Sequence, residues 1–274
     1  MNMNISGAGA VEKIARHDTS LFEAIQSQST RDDQKSLLVL HSVIRRILGE
    51  FTYLEIGSHL GGSLQAMVAD PACTRIISID PRPLAFSDQR GIVAKYPENS
   101  SQRMLDLLSV LPGADISKIQ TIESDSSKID LSTLSEKPHF CFIDGEHTNE
   151  AALRDAQFCR KAMEGRGLIA FHDANVVYSA IEKFIQELGS AGLPFRAYLL
   201  ADAVFVIELG EAQITGDLEF MENLKESYKG FLSGLKMNEW YRAALNQPFF
   251  LFLRRIRFVR RLFVVKNFDG GQPI

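Results

Sequence analysis

The sequence predicts an α/β fold: a doubly wound, mostly parallel sheet of seven strands, ending in an antiparallel hairpin and carrying helical additions at both ends. Three observations predict it. Apolar runs of roughly four to six residues alternate with helical segments of roughly ten to fifteen, the rhythm that parallel strands need for their crossover helices. The runs "HFCFI" and "LIAF" are almost continuously apolar, as in strands covered on both faces. Near the end of the sheet, "FRAYLLADAVFVIEL" holds two strand-like runs, Phe195 to Leu200 and Ala203 to Leu209, joined by a very short turn at Ala201 and Asp202, which suits an antiparallel hairpin.

The elements follow in order. Residues from about 8 to 49 read as helical; Leu37, Leu40, Val43, Ile44 and Ile47 make one apolar stripe, and Gly49 is a C-cap. "FTYLEIG" is the first strand and "GSLQAMVAD" has helical spacing. Then come strand "TRIISID", helix "SSQRMLDLLSVL", strand "KIQTIESD", strand "PHFCFIDG", helix "NEAALRDAQFCRKAM", strand "GLIAFHD" and helix "VYSAIEKFIQEL". From Thr215 the chain reads as helical again. Residues 1–50 are thus an N-terminal helical segment, 51–210 the sheet domain and 211–274 a C-terminal appendage.

Composition narrows the function. The chain has 274 residues, 45% hydrophobic and 23% charged, enough to bury a sizeable core. A formal charge of −4 gives no sign of a nucleic-acid partner and points to a small-molecule ligand. Cys73, Cys141 and Cys159 are an odd set without paired spacing, so they read as reduced core residues of a cytoplasmic protein. Neither a secretion signal nor a spanning helix is expected.

In an open doubly wound sheet, ligands bind beyond the carboxyl ends of the strands. Each predicted parallel strand ends there in a polar group: the loop Glu55-Ile56-Gly57-Ser58-His59-Leu60-Gly61-Gly62-Ser63 after the first, Asp80 after the second, Asp125 and Ser126 after the third, Asp144 and His147 after the fourth, and His172, Asp173 and Asn175 after the fifth. Glycines let a backbone approach a ligand, and a helix N-terminus offers free amides. Glu55 in this loop would repel pyrophosphate and accept from a cationic ligand. Asp80 has the separation at which an acid grips ribose hydroxyls, its alternative being a plain strand-end turn. For "FIDGEHTNEAAL" two readings stand: a catalytic loop with Asp144 and His147, or a turn followed by an N-cap.

"YLEIGSHLGGSLQAMV", followed by "IISID", "IESDSS" and "FIDGEH", resembles the class I methyltransferases that use S-adenosylmethionine, over about Phe51 to Leu209. The resemblance implies the Rossmann-like methyltransferase fold. It also implies that Glu55, Gly57, Ser58, Gly61 and Ser63 lie about the methionine end of the cofactor, Asp80 at the ribose, Asp125 and Ser126 near the adenine, and Asp144 in contact with the cofactor. His59 stands where the family most often has glycine. "FIDGEHTNEAALRDAQFCRKAMEGRGLIAFHD" is similar to the branch that includes macrocin-type sugar O-methyltransferases. That resemblance implies metal ligands at Asp144, Asp173 and His172, a magnesium or manganese ion, a base at His147, and a sugar or glycan hydroxyl as acceptor. A looser likeness to catechol O-methyltransferases makes Asn175 a weaker ligand candidate.

The chemistry agrees. A hydroxyl is a poor nucleophile until its proton is removed or its oxygen is held by a cation, and an imidazole with an ordinary pKa near ~6.5 can take that proton at neutral pH. The alternatives are a metal-independent O- or N-methyltransferase and an inactive cofactor-binding module. In the tail "QPFFLFLRRIRFVRRLFVVKNF", Phe249, Phe252, Ile256, Val259 and Phe263 form one helical stripe, with Arg254, Arg257 and Arg261 opposite. Such a helix packs on the core or a second subunit, or lies on the inner membrane surface.

Overall fold

The computed structural model describes residues 7–82, 86–87, 93–94, 98–200, 204–211, 213–224 and 226–245. The elements are α1 (Gly7–Ala15), α2 (Arg31–Leu48), β1 (Phe51–Ile56), α3 (Gln65–Ala69), β2 (Cys73–Ile79), β3 (Phe86–Ser87), β4 (Val93–Ala94), α4 (Ser101–Ser109), β5 (Ile119–Ile122), β6 (Phe140–Ile143), α5 (Asn149–Ala162), β7 (Gly167–Phe171), α6 (Tyr178–Ser190), β8 (Phe195–Leu199), β9 (Phe205–Leu209), α7 (Leu218–Glu222), β10 (Glu226–Ser227) and α8 (Tyr228–Leu245). Two compact units result, Met1–Tyr228 and Lys229–Ile274. The hairpin turn at Ala201 and Asp202 and the basic tail lie outside the described residues. Among those residues, no helix is long and apolar enough to cross a membrane.

The main sheet runs β5-β2-β1-β6-β7-β9-β8-β10. Its first five strands are parallel and the last three pairings antiparallel. The expected doubly wound sheet with its terminal hairpin is therefore present, and β10 adds an eighth, two-residue strand on β8 that the sequence does not signal. The chain starts at β1, winds out to β5 and returns to β6. The reversal of strand order thus falls between β1 and β6, where the fold opens a crevice.

Both faces of the sheet are covered. Leu37, Leu40, Val43 and Ile44 of α2 join Phe51, Tyr53, Met67, Phe140 and Phe142 in one core cluster; each such side chain contributes roughly 1.5–3 kcal/mol by leaving water. Side chains alternate across a strand, so Leu54, Ile56, Cys141, Ile143 and Phe171, also buried, point the other way. Helix α5 packs on β6 and β7, and α6 packs against α5. All three cysteines are buried and free of disulfides.

The N-terminal segment is not one helix. Between α1 and α2, Asp18 caps a 3-10 turn at Thr19–Phe22, and Thr30 begins α2 with a reciprocal cap in which its hydroxyl accepts from the Asp33 amide while the Asp33 carboxylate accepts from the Thr30 amide. Helix α3 is also shorter than its apolar spacing suggests, since the glycine-rich loop occupies what would be its first turns.

Candidate active site

One backbone bond beyond each parallel strand extends the ladder and fixes the level of the strand-end residues. The amide of Gly57 donates to Ile79, that of Asp80 to Ile122, that of Asp144 to Ile56 and that of His172 to Ile143. The polar groups expected at the carboxyl edge therefore sit at the crevice by construction.

After β1, Gly57 has φ +93°, and a Cβ there would lie 2.2 Å from the carbonyl oxygen of Asp144. This glycine is required by the crossing of two loops of the chain itself. His59 holds φ +44°, the left-handed region where glycine is the easy choice. Two neighbours grip that peptide: Asp80 accepts from its amide at 2.8 Å, and the buried Arg82 donates to its carbonyl. The hydroxyl of Ser58, buried in the same loop, has no hydrogen-bond partner among the described residues.

Glu55 differs from the accessible carboxylate that the loop sequence suggests. It is fully buried; one oxygen accepts from Ser63 and the other, at 2.6 Å, from the Tyr53 hydroxyl. Alternation along β1 puts it on the same inward face as Tyr53. Burial pushes its pKa up to about 8, against the lowering effect of the Ser63 and Tyr53 hydrogen bonds. Because the folded-state pKa exceeds the ordinary 4.5, the folded chain holds this proton more tightly than the unfolded one. Stability from this group is full below the unfolded value and is lost as pH rises towards 8. Glu55→Gln, neutral at every pH, is expected to flatten that decline, which is on the order of a few kcal/mol. Urea unfolding of both proteins from about pH 5 to about pH 9 checks it; curves that fall in parallel reject the assignment.

After β5, Asp125 caps the turn Ser126–Lys128 by accepting from the Ser127 amide at 2.8 Å and lies 3.2 Å from Arg154. Ser126 donates to Asp155, whose buried carboxyl is pushed up to about 6. These contacts tie the loop after β5 to α5.

The ends of β6 and β7 bring four predicted residues together. His147 Nε2 is 3.3 Å from both Asp144 Oδ1 and Asp173 Oδ2. His172 Nδ1 is 2.8 Å from Asp144 Oδ1 and 3.5 Å from Asp173 Oδ2. Ligand atoms of Asp144, His147 and His172 all lie within 4.8 Å of one another. Although His172 is only 6% exposed, neither of its ring nitrogens has a hydrogen bond of acceptable geometry among the described residues. Asp173 holds φ +47°, a strained backbone of the kind that gathers at functional sites. Asn175 is exposed. Thr148, and not His147, caps α5, accepting from the Ala151 amide.

Charge accounts for the titration of this cluster. Burial disfavours the charged form of Asp144, but His172 and His147 outweigh it and hold the carboxyl far below the usual carboxylate range. Burial likewise disfavours the imidazolium of His147, yet Asp144 and Asp173 raise its pKa above the ordinary value. The same opposition, with burial overcome by Asp144, Asp173 and Asp33, places His172 well above it. The contribution of Asp33, which belongs to α2, is absent from the sequence reading.

Residues 54–174 match the family model described as a methyltransferase domain. This stretch is similar to methyltransferase domains. It runs from β1 into the loop after β7 and contains the strand-end residues named above except Asn175. An uncharacterized protein of Acanthamoeba polyphaga mimivirus is 27% identical over 125 residues, 45% of this chain and 52% of that protein; the chain thus spans about half the length of that relative. Among solved structures, the O-methyltransferase TomG of Streptomyces achromogenes, in complex with S-adenosylmethionine, has 11% identity and a TM-score of 0.45, covering 74% of this chain and 90% of that one. A Podospora anserina methyltransferase has 15% identity and a TM-score of 0.46, covering 74% and 88%. Their likeness to the methyltransferase domain is one of fold.

Proposed function

We propose that the chain is an S-adenosylmethionine-dependent O-methyltransferase, assisted by a divalent metal, that acts on a sugar or glycan hydroxyl. The observation that carries this reading is the convergence of Asp144, His147, His172 and Asp173 beside the glycine loop of a methyltransferase domain. For the cofactor, the fit rests on the partnerless buried hydroxyl of Ser58 and on Asp80 and Asp125 at the ends of neighbouring strands. Glu55 acts behind this loop by holding Ser63 in place.

The donor set suits a cation. Three carboxylates, Asp33, Asp144 and Asp173, surround two imidazoles, and a charge of +2 would offset two of their three negative charges. A nitrogen donor, His172, favours manganese or another transition metal over magnesium, which prefers oxygen. Asp144, His172 and Asp173 would hold the ion, and bound there it would acidify and fix the acceptor oxygen. His147 Nε2 accepts the hydroxyl proton. The two carboxylates that raise the pKa of His147 are also those the ion would engage, which would favour the accepting form of Nε2. Fixed geometry between acceptor and sulfonium supplies roughly 7–11 kcal/mol of rate enhancement by itself.

Calorimetric titration with S-adenosylmethionine, followed by transfer of labelled methyl groups to sugar acceptors with and without chelator, tests the reading. Binding of the cofactor, loss of transfer on chelation and recovery with manganese are expected. Folded protein that fails to bind the cofactor sinks the assignment, and transfer indifferent to chelation supports the metal-independent alternative.

A further inference from the structure

The metal reading leaves one charged group unassigned. Asp33 lies in the first turn of α2, ahead of the matched domain, and is 4% exposed. Its Oδ2 accepts from the Thr30 amide at 3.1 Å and the Thr30 hydroxyl at 2.9 Å, and lies 3.2 Å from Nε2 of His172. His172 is therefore flanked on both sides: Nδ1 faces the Asp144 cluster and Nε2 faces Asp33. An imidazole can offer a lone pair from only one nitrogen while the other carries its proton. Which nitrogen is which decides whether His172 can serve the cluster at all.

We propose that Asp33 is a positioning residue for the metal site: its carboxylate, 3.2 Å from Nε2 of His172, favours the proton on that nitrogen and so the tautomer that turns the Nδ1 lone pair towards Asp144, His147 and Asp173. This rests on the metal-assisted reading above. The arrangement follows the general rule that a ligating histidine donates its remote N–H to a carboxylate, which sets ring orientation and raises basicity. What differs here is where the carboxylate comes from. It is 139 positions away in sequence (172 − 33), and its own rotamer is locked because it is also the acidic member of the α2 capping box. One side chain thus closes the helix start and holds the ring, so the N-terminal segment becomes part of the site.

The test separates these two duties. Manganese binding to the full chain is measured by calorimetry for the wild type, Asp33→Ala, Asp33→Asn and Thr30→Ala. Asp33→Ala is expected to weaken binding about 10–100-fold, Asp33→Asn to recover part of the loss through its amide oxygen, and Thr30→Ala, which removes the capping hydroxyl but leaves the backbone amide that holds the Asp33 carboxylate, to change it by about twofold or less. Equal affinity in Asp33→Ala and the wild type overturns the proposal, as does an equal loss in Thr30→Ala. The His172 tautomer, read from nitrogen chemical shifts in metal-free protein at high pH, gives a readout that needs no metal. A wild-type ring protonated on Nε2, with that preference lost in Asp33→Ala, supports the assignment; a ring protonated on Nδ1 overturns it. Failure of the wild type to bind manganese counts against the metal reading of the site, and the tautomer then decides the role of Asp33 alone.

Discussion

His147→Ala is expected to lower the rate of methyl transfer about 10²–10⁴-fold, the range for loss of a positioned general base, while S-adenosylmethionine binds nearly as in the wild type. The side chain is partly open to solvent, and its Nε2 lies 3.3 Å from two carboxylates at the mouth of the crevice. Apart from Asp144, whose own side chain is retained, the predicted cofactor contacts follow other strands, so truncation to alanine leaves them intact. Single-turnover transfer of a labelled methyl group, paired with calorimetry, reads both quantities, and an unchanged rate ends the claim that His147 is the base. Metal affinity separates two possible duties of this ring. A base leaves it unchanged when removed, whereas a ligand takes roughly one donor bond with it and weakens the site.

Gly57→Ala should have the largest effect on the folded chain. The added Cβ would meet the carbonyl oxygen of Asp144 at 2.2 Å, the carbonyl carbon of the same residue at 2.5 Å and the Cα of Gly145 at 2.5 Å, all backbone atoms. A flexible side chain could move aside; here the loop after β6 must move, or the loop after β1 must. The φ of +93° adds strain for any residue with a Cβ. We expect a loss of roughly 3–5 kcal/mol and a fall in Tm of roughly 10 °C. Any protein that folds should transfer poorly, because a shift of about 1 Å in Asp144 is enough to cost about 10²-fold. Gly189→Ala is the control: its Cβ meets nothing within 4 Å in α6, and helix propensity favours alanine by up to about 1 kcal/mol. Calorimetric melting of the two variants side by side decides the matter, and equal Tm values would mean the loop crossing has been misread.

Much of this architecture was legible because it is written in short-range patterns. Apolar runs mark β1, β2, β6 and β7, and each is stopped by a glycine or a polar residue that the ladder then carries one bond further. Asp144, His147, His172 and Asp173 could be gathered from sequence because parallel strands deliver their ends to one edge. Glu55 was harder. The pattern "FTYLEI" puts it in step with Tyr53, an inward residue, and that alternation was the available signal that its carboxyl is buried. Asp33 had a local signature, Thr30 with an acid three positions on, but only as a helix start. Its contact with His172 depends on how α2 packs against the sheet, which no local pattern encodes. Two-residue β10 has no periodicity to read, and the break between α1 and α2 hides in ordinary cap residues such as Asp18.

The two rims of the sheet carry a further consequence, for self-association. Glu226 and Ser227 of β10 pair with Leu199 and Tyr198 of β8 on one side. On the other, β5 is four residues long, and the Gln120 side chain reaches out to the carbonyl of Thr133 and the amide of Ser135, both at 2.8 Å. Neither border is therefore a long, flat row of open amides and carbonyls onto which a neighbouring chain could add a strand. At high concentration the folded protein should resist fibrous aggregation through its sheet borders, and mutations that release β10 or Gln120 are where that resistance would first be lost.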